Sequence, residues 1–157
     1  MSGSWARNLE TDVTAIRDWG ATLVLTLVTD EELDELGVTD LGAAVARAGM
    51  SWLHLPIADG CAPDEQFEAA WLSAFPRVSD ALSRGEKVLV HCKGGLGRAG
   101  TVAAMLLVDA GDGPGMAMCK VREVRPGAVE TDAQEEFIIY WAVTREARGG
   151  LMRCTAP

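Results

Sequence analysis

A net charge of -9 on 157 residues, from fourteen basic and twenty-three acidic side chains, repels nucleic acid and anionic lipid at long range and argues against both as partners. Apolar residues make up 48% of the chain and charged ones 24%, an ordinary globular composition, and the length suits one domain spanning residues 1–157 with its own core. No stretch approaches the roughly 20 apolar residues of a spanning helix, and residues 1–11 lack the apolar segment of a signal peptide, so a cytoplasmic location without membrane insertion is expected.

Val13, Ile16 and Trp19 have the spacing of a short amphipathic helix that Gly20 can close. Thr22 to Val28 is a nearly unbroken run of strand formers, as in a central strand covered on both faces. A polar turn at Thr29-Asp30, with Asp30 in a capping position, leads into a short acidic helix through Leu36. An alanine-rich helix from Leu41 to Ala48 follows, and Ser51 to Leu55 forms a second strand. Pro56 and Pro63 bracket a loop containing Asp59 and Gly60. From Asp64, the residues Phe67, Trp71, Phe75, Val78 and Leu82 recur at helical spacing, and Pro76 is expected to kink or break that helix. Trp19, Trp52 and Trp71 sit on apolar faces and are expected in the core.

Lys87 to His91 is the third strand. A glycine-rich turn and an apolar helix from about Ala99 to Ala110 come next, then helices over Met116–Val124 and from Thr131 to about Arg145, with a turn at Arg125-Pro126-Gly127 between them. Strands alternating with helices predict an α/β fold with a mostly parallel central sheet flanked by helices, whose ligands bind at the carboxyl ends of the strands.

The cysteines Cys61, Cys92, Cys119 and Cys154 are widely spaced and only two histidines are present, so neither a metal site nor a disulfide framework is suggested, and no cofactor is called for. One cysteine has distinctive surroundings. His91-Cys92-Lys93-Gly94-Gly95-Leu96-Gly97-Arg98 places Cys92 directly after a strand and Arg98 six residues later, where a helix begins. Such a loop can turn successive N–H groups inward on an anion, with the helix N-terminus adding its partial positive charge. Gly94, Gly95 and Gly97 allow the curl and a close approach to phosphate, Lys93 and the Leu96 backbone belong to the same loop, and Arg98 offers a planar fork to two phosphate oxygens. The same field favours a thiolate at Cys92, so attack on a phosphomonoester should give a cysteinyl-phosphate. The leaving oxygen then needs a proton, for which Asp59 is the candidate donor. The competing reading of Asp59 is a turn-stabilising side chain before glycine.

Gly95-Leu96-Gly97-Arg98-Ala99-Gly100 also fits the dinucleotide pattern G-x-G-x-x-G, but that motif needs a following strand with an acidic end, and residues 108–118 offer glycines and a proline instead. The nucleotide-binding order G-K-[ST] is absent.

The His-Cys-x5-Arg signature with Gly95, Gly97 and Gly100 resembles that of protein tyrosine and dual-specificity phosphatases. The segments His54-Leu55-Pro56-Ile57-Ala58-Asp59-Gly60 and His91 to Arg98 resemble most the cyclin-dependent-kinase-inhibitor-3 group, also called kinase-associated phosphatases, and a weaker similarity runs from Trp5 to Trp141. The resemblance implies a protein tyrosine phosphatase-like fold. It makes Cys92 the nucleophile, Arg98 the phosphate ligand and Asp59 the general acid, and it matches Gln134 loosely to a glutamine that positions the hydrolytic water. Thr131-x-x-Gln134 is equally a capping box that would occupy that side chain. His91 is expected beside Cys92 in support of the thiolate.

Two departures stand out: Ala99 replaces the usual serine or threonine whose hydroxyl assists phosphoenzyme breakdown, and the tyrosine-bearing loop of strict tyrosine phosphatases is not recognisable. The chain also begins later than its relatives, which suggests a missing N-terminal segment. The implied substrate is phosphotyrosine, phosphoserine or phosphothreonine in a protein. A phosphoinositide or a small phosphometabolite is the alternative, as is a phosphate-binding pseudophosphatase.

Overall fold

The computed structural model of the chain describes residues 8–144 and 147. Three parallel strands, β1 (Ala21–Thr26), β2 (Ser51–His54) and β3 (Lys87–His91), form a sheet in the order β2-β1-β3. β1 is central, as its unbroken apolar run requires: Leu23, Leu25 and Leu27 face one layer and Val24 and Val28 the other. The seven helices described are α1 (Leu9–Trp19), α2 (Asp30–Glu35), α3 (Leu41–Arg47), α4 (Glu65–Ser83), α5 (Gly97–Ala110), α6 (Pro114–Val124) and α7 (Asp132–Val143). Trp71 of α4, Met105 of α5 and Trp141 of α7 pack with the leucines of β1, while Val13 of α1 and Val45 of α3 cover the opposite face. Each such fully buried side chain contributes about 1.5–3 kcal/mol through water exclusion.

Local signals set most boundaries. Asn8 caps α1 by accepting the Thr11 N–H, and Gly20 closes it at φ 98°. Asp64 accepts the Phe67 N–H at the start of α4. Pro114 occupies the first turn of α6, where no intrahelical N–H is needed, so that helix begins two residues before the expected Met116. The expected end of α7 at Arg145 falls outside the described residues, and the helix stops at Val143.

Three expectations are corrected. Pro76 does not break α4, which runs unbroken for 19 residues. Pro76 and Leu72, whose carbonyl loses its helical partner, are both exposed, so water can take the freed carbonyl. The roughly 3 kcal/mol penalty of an interior proline is outweighed by burial of Trp71, Ala74 and Val78 on the other face. Trp19 is not core: it is 53% exposed, with the Lys87 ammonium 4.8 Å from its ring centre. Asp30 is the first residue of α2, and the cap is Thr29, reciprocated by Glu32 in a capping box. Trp71 is fully buried and Trp52 half-buried. Among the described residues no helix is long and apolar enough to cross a membrane, and no group of three or more potential metal ligands occurs.

Candidate active site

Parallel strands bring their following loops to one end of the sheet. The loop after β3 carries Cys92 to Arg98, the loop after β2 carries Asp59, and β1 leads through Thr29 into α2. Cys92 joins β3 to the loop and packs half-buried between the two core layers. Its Sγ accepts the Gly95 N–H at 3.2 Å, so one backbone donor already points inward at the sulfur. Gly95 has φ 70°, a conformation that costs a residue with a Cβ and costs glycine little.

Arg98 lies in the first turn of α5 and is 2% exposed. Its Nη1 donates to Glu32 Oε2 at 2.6 Å and to the Ile57 carbonyl at 2.9 Å, and its Nη2 donates to Glu32 Oε1 at 2.9 Å. Asp59 Oδ1 also lies 2.9 Å from Nη2, on a side chain that is 74% exposed. Hydrogen bonds to Glu32 hold Arg98 above the usual arginine range against the opposing effect of burial. The same pair lowers the Glu32 carboxyl, helped by the Thr29 N–H and the nearby charge of Lys93. Arg98 Nε is buried and has no protein partner. The arrangement brings the Cys92 sulfur, the buried Arg98 cation and the exposed Asp59 carboxylate together from the two loops that follow β2 and β3.

Glu32, the carboxylate partner of buried Arg98, is the residue that sequence reasoning missed. Its signal was Thr29-x-x-Glu32 at the end of a central strand, a capping box whose carboxylate is shared with Arg98: Glu32 Oε2 accepts both the Thr29 N–H and Arg98 Nη1.

Gln134 is 1% exposed. The Thr131 hydroxyl accepts its N–H, but its own side chain bypasses the Thr131 backbone, so only half of the anticipated capping box forms. Instead Oε1 accepts the Glu130 N–H at 2.9 Å and Nε2 donates to the Cys61 carbonyl at 3.1 Å. Gln134 nonetheless stands over the loop, since a Cβ on Gly97 would lie 3.0 Å from its Nε2 and 2.5 Å from a Glu130 carboxylate oxygen. His91 bonds the Thr26 hydroxyl at 2.8 Å and the Cys92 carbonyl at 3.4 Å, and burial lowers its pKa. It therefore holds the junction of strand and loop through the backbone of Cys92. Lys93 and Gly94 are exposed, Leu96 is half-buried and caps α5, and Ala99 is buried. The dinucleotide alternative fails on topology, because α6 follows α5 where a strand is required.

The model of the PTP-SAK family, "Swiss Army Knife protein, DSP-PTPase phosphatase domain", matches residues 1–138. The chain belongs to this phosphatase family. Cyclin-dependent kinase inhibitor 3 of Homo sapiens is 32% identical over 135 residues, covering 84% of this chain and 62% of that protein, and its Rattus norvegicus counterpart is 33% identical over the same shares. The chain thus spans about 62% of the length of these relatives. Protein tyrosine phosphatase type IVA 2 of Mus musculus is 34% identical over 107 residues, 62% of this chain and 64% of that one. Among solved structures, kinase associated phosphatase with its catalytic-site cysteine replaced by serine superposes with a TM-score of 0.81 at 29% identity, over 90% of this chain and 79% of that one. Tk-PTP in its active form gives 0.70 at 32% identity, over 85% and 86%.

Proposed function

We propose that this chain hydrolyses phosphomonoesters through a cysteinyl-phosphate on Cys92. The observation that carries the reading is the meeting of Cys92, Arg98 and Asp59 at one end of the sheet. The Cys92 sulfur accepts an inward-facing N–H, and the carboxylate of Asp59 rests on the phosphate-binding cation.

The cradle N–H groups and Arg98 bind the phosphate dianion, and the bound oxygens replace Asp59 on Nη2. The freed Asp59 carboxylate takes up a proton from solvent and gives it to the leaving oxygen as the Cys92 thiolate forms the S–P bond and the P–O bond breaks. Water next attacks phosphorus, passing a proton to Asp59, and the S–P bond breaks to release phosphate and the thiolate. Gln134, buried against Gly97, orients that water. Its two side-chain hydrogen bonds first hold the Cys61 end of the acid loop and the Glu130 turn in register with the cradle. No metal or cofactor takes part. The substrates are phosphotyrosine, phosphoserine and phosphothreonine in proteins, a reading supported by the DSP-PTPase description of the family and, for phosphotyrosine, by the name of the type IVA 2 relative.

The test is hydrolysis of a generic aryl phosphate, with chelator present, by the native chain, Cys92→Ser and Asp59→Asn. Turnover lost with Cys92→Ser and slowed about 100-fold with Asp59→Asn supports the mechanism. A well-folded native chain without turnover, but with phosphate affinity, would instead mean a binding module. Preference for phosphoinositide or small phosphorylated metabolites over phosphopeptides would reassign the substrate.

A further inference from the structure

A trans peptide unit is planar, so the carbonyl of one residue and the N–H of the next point in opposite directions. Whatever holds the cradle carbonyls outward therefore aims the cradle N–H groups inward. Three consecutive carbonyls are held by a single turn. Arg125 Nη2 donates to the Gly94 carbonyl and Nε to the Gly95 carbonyl, each at 3.3 Å. The Val129 N–H donates to the Leu96 carbonyl at 3.3 Å, which also accepts the Gly100 N–H inside α5. The Gly94 carbonyl shares its peptide unit with the Gly95 N–H, the donor that rests on Cys92 Sγ. Adjacent glycines resist peptide rotation least, so Gly94-Gly95 is where the cradle most needs an external hold.

The turn itself is constrained. Val129 has φ 61°, a conformation β-branched residues avoid. It stays there 4% exposed, with its carbonyl accepting Arg122 Nη2 at 3.0 Å. A Cβ on Gly100 would sit 2.9 Å from the Val129 nitrogen, so the close approach of turn to cradle depends on glycine at 100.

We propose that Arg125 is a positioning residue for the phosphate cradle, acting through the Gly94 and Gly95 carbonyls and not on substrate. This rests on the phosphatase reading for its kinetic consequence, but the cradle can be tested without turnover. The affinity of the full chain for inorganic phosphate is measured by calorimetry for the native protein, Arg125→Leu and Arg125→Lys, alongside aryl phosphate kinetics and thermal melting. Arg125 is exposed, so folding is expected to survive both substitutions. Arg125→Leu weakens phosphate binding about tenfold, the effect of losing charge-assisted hydrogen bonds, and speeds amide exchange at Gly95 and Leu96 while the interior of α5 stays protected. Arg125→Lys, able to hold one carbonyl, recovers part of the affinity. Unchanged phosphate affinity and exchange in Arg125→Leu would overturn the proposal. So would a KM increase confined to substrates bearing a second anionic group, which would make Arg125 a substrate contact. A native chain that binds phosphate without turnover would sink the catalytic reading and leave the Arg125 comparison intact.

Discussion

Removing the Glu32 carboxylate should be the most damaging change outside the reacting groups. Arg98 is buried, and Glu32 is its bidentate partner at 2.6 and 2.9 Å with only 13% side-chain exposure. Deleting one partner of a buried ion pair leaves an uncompensated charge and costs about 3–5 kcal/mol. Glu32→Ala also removes half of the α2 capping box, about 1 kcal/mol more, whereas the exposed Asp59 can replace little of the lost attraction. With a urea slope of about 2 kcal/mol per molar, the summed loss of about 4–6 kcal/mol lowers the unfolding midpoint by about 2–3 M. Glu32→Gln, which keeps an acceptor and the side-chain shape, should lose roughly half as much. The assay is equilibrium urea unfolding of native, Glu32→Ala, Arg98→Met and the double variant, with phosphate affinity measured on each. If Glu32→Ala costs the same in the Arg98→Met background as in the native chain, the two side chains are not coupled and the reasoning fails. The pH dependence has a definite sign. The folded state holds Glu32 below its ordinary range through its bonds to Arg98, so the pair stabilises fully above that range and loses its effect as the pH falls through the depressed value. Glu32→Gln should flatten this acid limb.

The remaining expectations are simpler. In rapid-mixing kinetics on an aryl phosphate, the native chain should show a burst of phenol followed by slow turnover, because Ala99 supplies no hydroxyl beside the cradle. Ala99→Ser should raise the steady rate, and a native trace without a burst would count against slow phosphoenzyme breakdown. Burial lowers the His91 pKa. The folded chain therefore binds fewer protons there than the unfolded one, and stability declines as the pH drops below the ordinary histidine value of about 6.5; His91→Gln should lessen that decline in urea titrations between pH 7 and 5. Gly100→Ala drives a methyl to 2.9 Å from the Val129 nitrogen and 3.0 Å from the Ala128 Cβ, an overpacking that should cost about 1–3 kcal/mol and weaken phosphate binding together with stability. Wild-type stability in that variant would show that the turn can move away freely.

The sequence by itself determined the elements and the cradle. Unbroken apolarity marked β1 as central, glycines and capping side chains marked most helix ends, and the run from Cys92 to Arg98 put a cysteine, flexible backbone and an arginine within seven consecutive residues, where spacing alone is informative. Asp59 was legible as a loop residue after β2, and its carboxylate meets Arg98, but its role as acid came from the resemblance. Only the tertiary structure decided who holds the cradle. Glu32 is 66 residues from Arg98 in the chain and Arg125 is 30 and 31 residues from Gly95 and Gly94, so no local pattern joins them. Gln134 was half legible: its place at the start of α7 followed from Thr131, but its partners Glu130 and Cys61 depend on how α7 packs over α5. Pro76 did not end α4 because the face that carries it looks into water, and Trp19 stayed out of the core because the last turn of α1 lies beside Lys87. Sequence fixes what each residue can do over a few neighbours; the parallel sheet, by bringing three loop-bearing strand ends together, selects which of those capacities meet.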